Sequence, residues 1–189
     1  MFHGCYSIVN LNVYNWNTSA CLNMSGMFDR CYLVSNLAVS NWNTSLVTDM
    51  SGMFADCRSL YSLNCQNWNV SNVSDMSEMF YNNYSLTNLN ISSWNLAGLS
   101  DCIGMFGNCS SLPNLAVSVF NNFLLQNIYF MFEGCSSLTD LDLSGWNVSK
   151  IADFDSMFLG CSKLKNLNLV GWDISSATNM PNMFSGCVS

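Results

Sequence analysis

Charge is scarce in this chain. Its 189 residues hold five Lys and Arg against twelve Asp and Glu, a net charge of −7. Only 9% of residues are charged, where ordinary soluble domains carry about 25%. Asn, Ser and Thr must therefore make most of the polar surface. Five scattered cations cannot form a stripe that tracks phosphates, which argues against nucleic acid as a partner. They also leave little to hold an anionic membrane surface.

Long apolar runs are missing too. No stretch reaches the 18 residues of a membrane-spanning helix. The most apolar window, NFLLQNIYFMF, is broken by Gln126 and Asn127. No basic segment leads into a short apolar one, so no signal peptide is visible. Histidine occurs once, as His3 at the chain end, and there is no Cys-x-x-Cys pair, so zinc lacks its usual ligands. No Ser-His-Asp or Cys-His arrangement and no clustered acid–base pair is present. The reading is non-enzymatic, with no cofactor and no metal. Asp140 and Asp142 lie two residues apart on one strand face, where a divalent cation is conceivable and a solvated face is the plainer reading.

What the chain has is a repeat. Met-Phe pairs begin at residues 1, 27, 53, 79, 105, 131, 157 and 183, every interval being 26 with no insertion. Seven full repeats (1–182) and the first seven residues of an eighth (183–189) form one array over 1–189. With Met as position 1, position 2 is always Phe and position 11 always Leu. Position 16 is Trp except at Phe120, position 17 is Asn except at Asp173, and position 23 is Asn or Asp. Positions 8, 13, 21 and 24 stay apolar. A 26-residue unit cannot close a core alone, whereas stacked copies bury each apolar face against the next.

Positions 8 to 16 read L-x-x-L-x-L-x-x-W, as in LTDLDLSGW (138–146). Leu at 11 and an apolar 13 between polar neighbours have the period of a strand with one buried face, and a polar turn follows. In DMSEMFYN (75–82), Asp75 and Glu78 read as a capping box, and Met76, Met79, Phe80 and Asn83 fall at i, i+3, i+4, i+7. A short helix is predicted there, closed by a positive-φ residue at position 4. The expected fold is an α/β solenoid with one parallel strand and a short helix per 26-residue repeat.

The LxxLxLxxW segment, the WN(T/V)S turn, the (V/I)xDM step and the MFxxC(S)SL step resemble the leucine-rich-repeat superfamily. More closely, they resemble BspA-like surface proteins, the 26-residue repeats of bacterial surface lipoproteins found also in protists and large viruses. The resemblance covers the whole chain and implies a right-handed leucine-rich-repeat-like coil used in extracellular recognition or adhesion. No catalytic residue belongs to its motif. Family members are long arrays, and polar capping repeats are absent here. A fragment of a longer chain is therefore expected, with any anchor outside this window.

Seven of the ten cysteines stand at position 5, with Asn83 in the fourth of its eight slots. Cys21, Cys65 and Cys102 replace Val, Leu, Ile or Met, so Cys is read mainly as a small buried hydrophobe, ahead of disulfides between adjacent rungs and of metal. The fixed aromatics and methionines read as core, and the Trp N–H needs a partner, from Asn at position 17 or a turn carbonyl. Asn-x-Ser/Thr sequons make Asn17, Asn43, Asn69, Asn72, Asn90 and Asn147 candidate glycosylation sites in a eukaryotic secreted setting. Asn23 and Asn83, at predicted cap or core positions, are poor acceptors.

Two surfaces are candidates for a partner. The outward strand positions 10, 12 and 14 give a neutral hydrogen-bonding face that includes Tyr14, Asn64, Asn88, Asn90, Asp140 and Asp142. In the irregular fifth repeat, Phe123, Leu124, Tyr129 and Phe130 replace polar or small residues, which suggests a contact with a neighbouring subunit or chain. The expected partner is protein or glycan on another surface, or neighbouring copies in a virion-surface or filament assembly. The expected location is extracellular, on a cell or virion surface.

Overall fold

A computed structural model describes residues 1–121 and 124–189. Each 26-residue repeat is one coil, and every coil lies on the next in the same register. On the strand arc, β1 (Ser62–Leu63) pairs in parallel with β2 (Asn88–Leu89), and β3 (Asp140–Asp142) with β4 (Asn166–Asn168). The partners Leu63 and Leu89, or Leu141 and Leu167, are one repeat apart. Leu63, Leu89 and Leu141 point into the core while Asn88, Asp140, Asp142, Asn166 and Asn168 face solvent. A second parallel ladder runs through position 23, linking Asn23, Asp49, Asp75, Asp101 and Asn127, and separately Asp153 and Asn179.

The strand arc breaks at coil five. At position 9 the amides of Tyr61, Thr87 and Lys165 donate to the carbonyls of Ser35, Tyr61 and Thr139 one coil back. Pro113 occupies that position in coil five and has no N–H to give. The two short sheets lie on either side of it.

No helix forms among the described residues, so the predicted strand-plus-helix unit is corrected to a strand plus a train of turns. Between Met50 and Cys57 the amides of Met50, Gly52, Phe54 and Asp56 donate to the carbonyls of Asp75, Ser77, Met79 and Tyr81 on the next coil, at 2.7–3.0 Å. The amides between them close local turns: Met53 to Met50, Ala55 to Gly52, Cys57 to Phe54. The third residues of the turns Met50–Met53 and Phe54–Cys57 have positive φ, 58° at Gly52 and 56° at Asp56, as type II turns require. In the predicted helix, Glu78 sits at φ 56° and Asn82 at φ 59°, incompatible with right-handed helix. Two four-residue turns in succession send Met76, Met79, Phe80 and Asn83 inward just as one helix face would. The positive φ expected at position 4 is present in every repeat, including Arg30 at 58°, but it belongs to a turn, not a helix cap.

The core is a set of stacked columns. All eight position-2 phenyl rings stack in sequence, with centroids 5.5–5.8 Å apart and planes within 8°. Burying one such ring stabilises the fold by about 1.5–3 kcal/mol. Trp16, Trp42, Trp68 and Trp94 form a parallel column at 6.1–6.5 Å. Each buried indole N–H donates to the position-13 carbonyl one coil back: Trp42 to Val13, Trp68 to Val39, Trp94 to Cys65, Trp146 to Val117. Of the two partners expected for that N–H, the carbonyl is the one used. Phe120 interrupts the column and meets Phe106 edge-on at 75°.

Candidate functional site

The interior arcs turn their polar donors to the backbone of neighbouring coils. At position 5 the thiols of Cys31, Cys57, Cys109, Cys135, Cys161 and Cys187 donate to the position-2 carbonyl one coil back, at 3.1–3.4 Å. Asn83 does the same with its amide, 2.9 Å from the Phe54 carbonyl, which explains why Asn can replace Cys there. These cysteines are therefore donors as well as hydrophobes, a role hidden in the sequence because donor and acceptor are 29 residues apart. Burial pushes the thiols up, to about 11 at Cys31 and about 12 at Cys109 and Cys161. At neutral pH they are protonated donors and poor nucleophiles. All ten cysteines are free thiols.

The turn and position-23 arcs are likewise internally bonded. Asn17, Asn43, Asn69 and Asn147 each accept from the backbone N–H and hydroxyl of the Ser two residues on. Thr18 and Thr44 are buried and donate to the carbonyls of Asn43 and Asn69 on the next coil. At position 23, Asn23 and Asn179 donate to Asp49 and Asp153 at 3.0 Å, and Asn127 donates to Asp101. Asp49, Asp75 and Asp101 lie consecutively between Asn23 and Asn127.

The strand arc presents its polar groups outward. Asn10, Asn12, Asn36, Asn64, Asn88, Asn90 and Asn114 are all exposed, and positions 10, 12 and 14 of the first five coils carry no charge. Shallow depressions lie along it, one lined by Ser62, Asn64, Gln66, Asn88 and Asn90 and another by Asp140, Asp142, Lys165, Asn166 and Asn168. The second measures about 540 Å³. The Thr139 hydroxyl and Asn166 amide, at 2.6 and 2.5 Å, hold the Asp140 carboxyl below its ordinary range. The Ser144 backbone N–H does so for Asp142. Both are carboxylates at neutral pH, and among the described residues no three His, Cys, Asp or Glu side chains converge on one point.

Tyr14 borders the face, 51% exposed. Tyr61, 62% exposed immediately before β1, was not singled out in the sequence. Its signal is an aromatic in the position-9 column beside Ser35 and Thr87. A second exposed group also escaped notice. Tyr6 packs on Tyr32 at 5.0 Å, and the Arg58 guanidinium lies 4.3 Å above the Tyr32 ring while pairing with Asp56 at 2.9 Å.

The fifth-repeat residues divide. Leu124 is 47% exposed. Tyr129 and Phe130 are half-buried and meet edge-on at 5.1 Å. Phe123 lies outside the described residues. Phe130 has φ 57° in the slot where Gly26, Gly52 and Gly104 stand, a conformation that strains a bulky residue. Leu124 and Val119 line one depression with Trp94 and Leu96.

Of the glycosylation candidates, Asn17, Asn43, Asn69 and Asn90 are exposed and Asn147 is half-buried. In all five the side-chain oxygen is the atom engaged in the turn. Asn72 differs, its amide nitrogen donating to the Ser45 carbonyl at 2.8 Å. Asn83 is fully buried.

The family model described as "Mycoplasma protein of unknown function, DUF285" matches residues 1–115 and again 88–189. The chain belongs to this family, which is the BspA-like repeat family. No curated protein matches it. Among solved structures, a leucine rich cell surface protein from Faecalibacterium prausnitzii A2-165 is similar at 15% identity and TM-score 0.35. That likeness covers 91% of this chain and 62% of that one, so the chain spans less than two thirds of that protein's length. A leucine-rich repeat protein from Bacteroides ovatus ATCC 8483 is similar at 16% identity and TM-score 0.26, over 99% of this chain and 72% of that one.

Proposed function

We propose that this BspA-like array is a non-enzymatic recognition module, carried on a cell surface, that adheres to protein or glycan through its strand-arc face. One observation carries the reading: the interior arcs spend their polar side chains on neighbouring coils and the turn arc on its own turns, while the strand arc holds a rank of exposed carboxamides, uncharged over the first five coils. Broad hydrogen-bonding faces of this kind are the binding surfaces of solenoids. Tyr14, Asn64, Asn88, Asn90, Asp140 and Asp142 are its proposed contact residues. The sequons Asn17, Asn43, Asn69, Asn90 and Asn147 offer glycan attachment should the chain pass through a glycosylating pathway, and Asn72 less so. The test is attachment of the purified chain to intact cells, compared with an Asn64→Ala/Asn88→Ala/Asn90→Ala variant. Attachment that falls with the variant at an unchanged unfolding midpoint supports the face, and unchanged attachment refutes it.

A second reading, a structural subunit packed against copies of itself in a virion-surface or filament assembly, is favoured by the fifth repeat. Position 26 has positive φ in every coil, and Phe130 is the one bulky aromatic there, strain of the sort stored at functional contacts; exposed Leu124 stands nearby in sequence. Self-association that is lost on Leu124→Ser/Phe130→Gly substitution would support it. A monomer at every concentration would remove it.

A further inference from the structure

We infer that the strand-arc face takes a neutral, extended, linear polysaccharide lying along the solenoid axis, with one sugar presented to each coil. This rests on the reading of that face as the recognition surface and commits it to one ligand class. The first ground is translational. Parallel pairing sets successive coils about 4.8 Å apart, and the pairing of β1 with β2 in 26-residue register repeats the same side-chain positions on each coil. An extended hexose chain advances by a similar length per sugar. Such a polymer meets a carboxamide at position 10 or 12 of each of the first five coils, whereas an irregular protein surface matches only one or two steps.

The second ground is charge. With no charged residue at positions 10, 12 or 14 of the first five coils, neither a polyanion nor a polycation finds a counter-charge there. The third is the chemistry of the groups. A carboxamide has one acceptor and two donors, matching hydroxyls that both give and accept; at Asn90 the oxygen already accepts from Ser92, so its amide is the group turned to a ligand. Tyr61 at the border of β1, 62% exposed, adds a flat apolar face with a polar tip, suited to the C–H side of a pyranose ring. The depression lined by Asn64, Gln66, Asn88 and Asn90 spans two successive coils, as a ligand running along the axis requires.

The experiment is calorimetric titration of the 189-residue chain with cellulose-derived and chitin-derived oligosaccharides of increasing length, with dextran and pectate as branched and acidic comparisons. Affinity is expected to climb with each added sugar up to the five uncharged coils, and to be weaker for dextran and pectate. Asn64→Ala/Asn88→Ala/Asn90→Ala is expected to bind at least about tenfold more weakly, each lost hydrogen bond contributing a few-fold. Tyr61→Ser, which touches only an exposed side chain, should weaken binding without moving the unfolding midpoint. Absent or length-independent binding to neutral chains overturns the inference. If, in that case, cell attachment still depends on the triple variant, the face remains a recognition surface for another partner. If attachment ignores the variant as well, both readings fall.

Discussion

The Phe arc and the strand arc of one coil share a single spacing and use their polar groups in opposite ways. From Met50 to Cys57, backbone amides either cross to the next coil or close a local turn, and the thiol of Cys57 caps the Phe28 carbonyl one coil back. From Ser62 to Asn64 the chain is barely a strand, and its carboxamides face solvent. Cohesion therefore resides in the Phe arc, and the strand arc is free to vary in its outward residues. Changes on the first should move stability, and changes on the second should move binding.

The largest effect is expected at the middle of the phenyl column. Phe80→Ala opens a cavity between Phe54 and Phe106 and should cost about 3–5 kcal/mol, read as a lowered midpoint in urea unfolding. Alkali should attack the same arc. Buried thiols such as Cys109 and Cys161, raised from 9.0 to about 12, stay protonated in the fold after the unfolded thiols have ionised. Stability is then full below pH 9 and falls between pH 9 and about 12, by about 1.4 kcal/mol per pH unit for each such thiol. Unfolding midpoints measured across that range check the slope, and a flat profile would contradict it.

Much of this division was legible in the sequence. The unbroken 26-residue spacing of Met-Phe revealed the coil, and Leu63 between Ser62 and Asn64 revealed the strand face. The helix was misread because successive four-residue turns place Met76, Met79 and Phe80 inward at the spacing of a helix. The corrective signal was present in Gly26, Gly52 and Gly104, each four residues before a residue that also takes positive φ, Arg30, Asp56 and Asn108. Contacts between one coil's side chain and another's carbonyl, such as Trp68 to Val39, leave no local mark. Phe130 could be noticed as irregular, but its backbone strain depended on knowing that its slot belongs to a left-handed turn residue.

Smaller effects sharpen the contrast. Asn83 substitutes for a thiol but leaves its buried side-chain oxygen without a partner. Asn83→Cys should gain about 1 kcal/mol as a raised thermal midpoint. Asp75 stands between two like charges in the position-23 ladder, where Asn23 and Asn127 instead donate to their neighbours. Asp75→Asn should therefore stabilise by about 0.5 kcal/mol, most clearly at low salt. Asn88→Ala, on the exposed face, should change stability by less than about 0.5 kcal/mol in the same assay.

The most direct test of the turn ladder is measurement of scalar couplings across hydrogen bonds by NMR on the isotope-labelled chain. A coupling from the Phe54 amide nitrogen to the Met79 carbonyl carbon, with its counterpart from Phe80 to Met105, is the predicted result. Couplings from residues 79–82 to carbonyls four positions earlier would show a helix there and contradict the account.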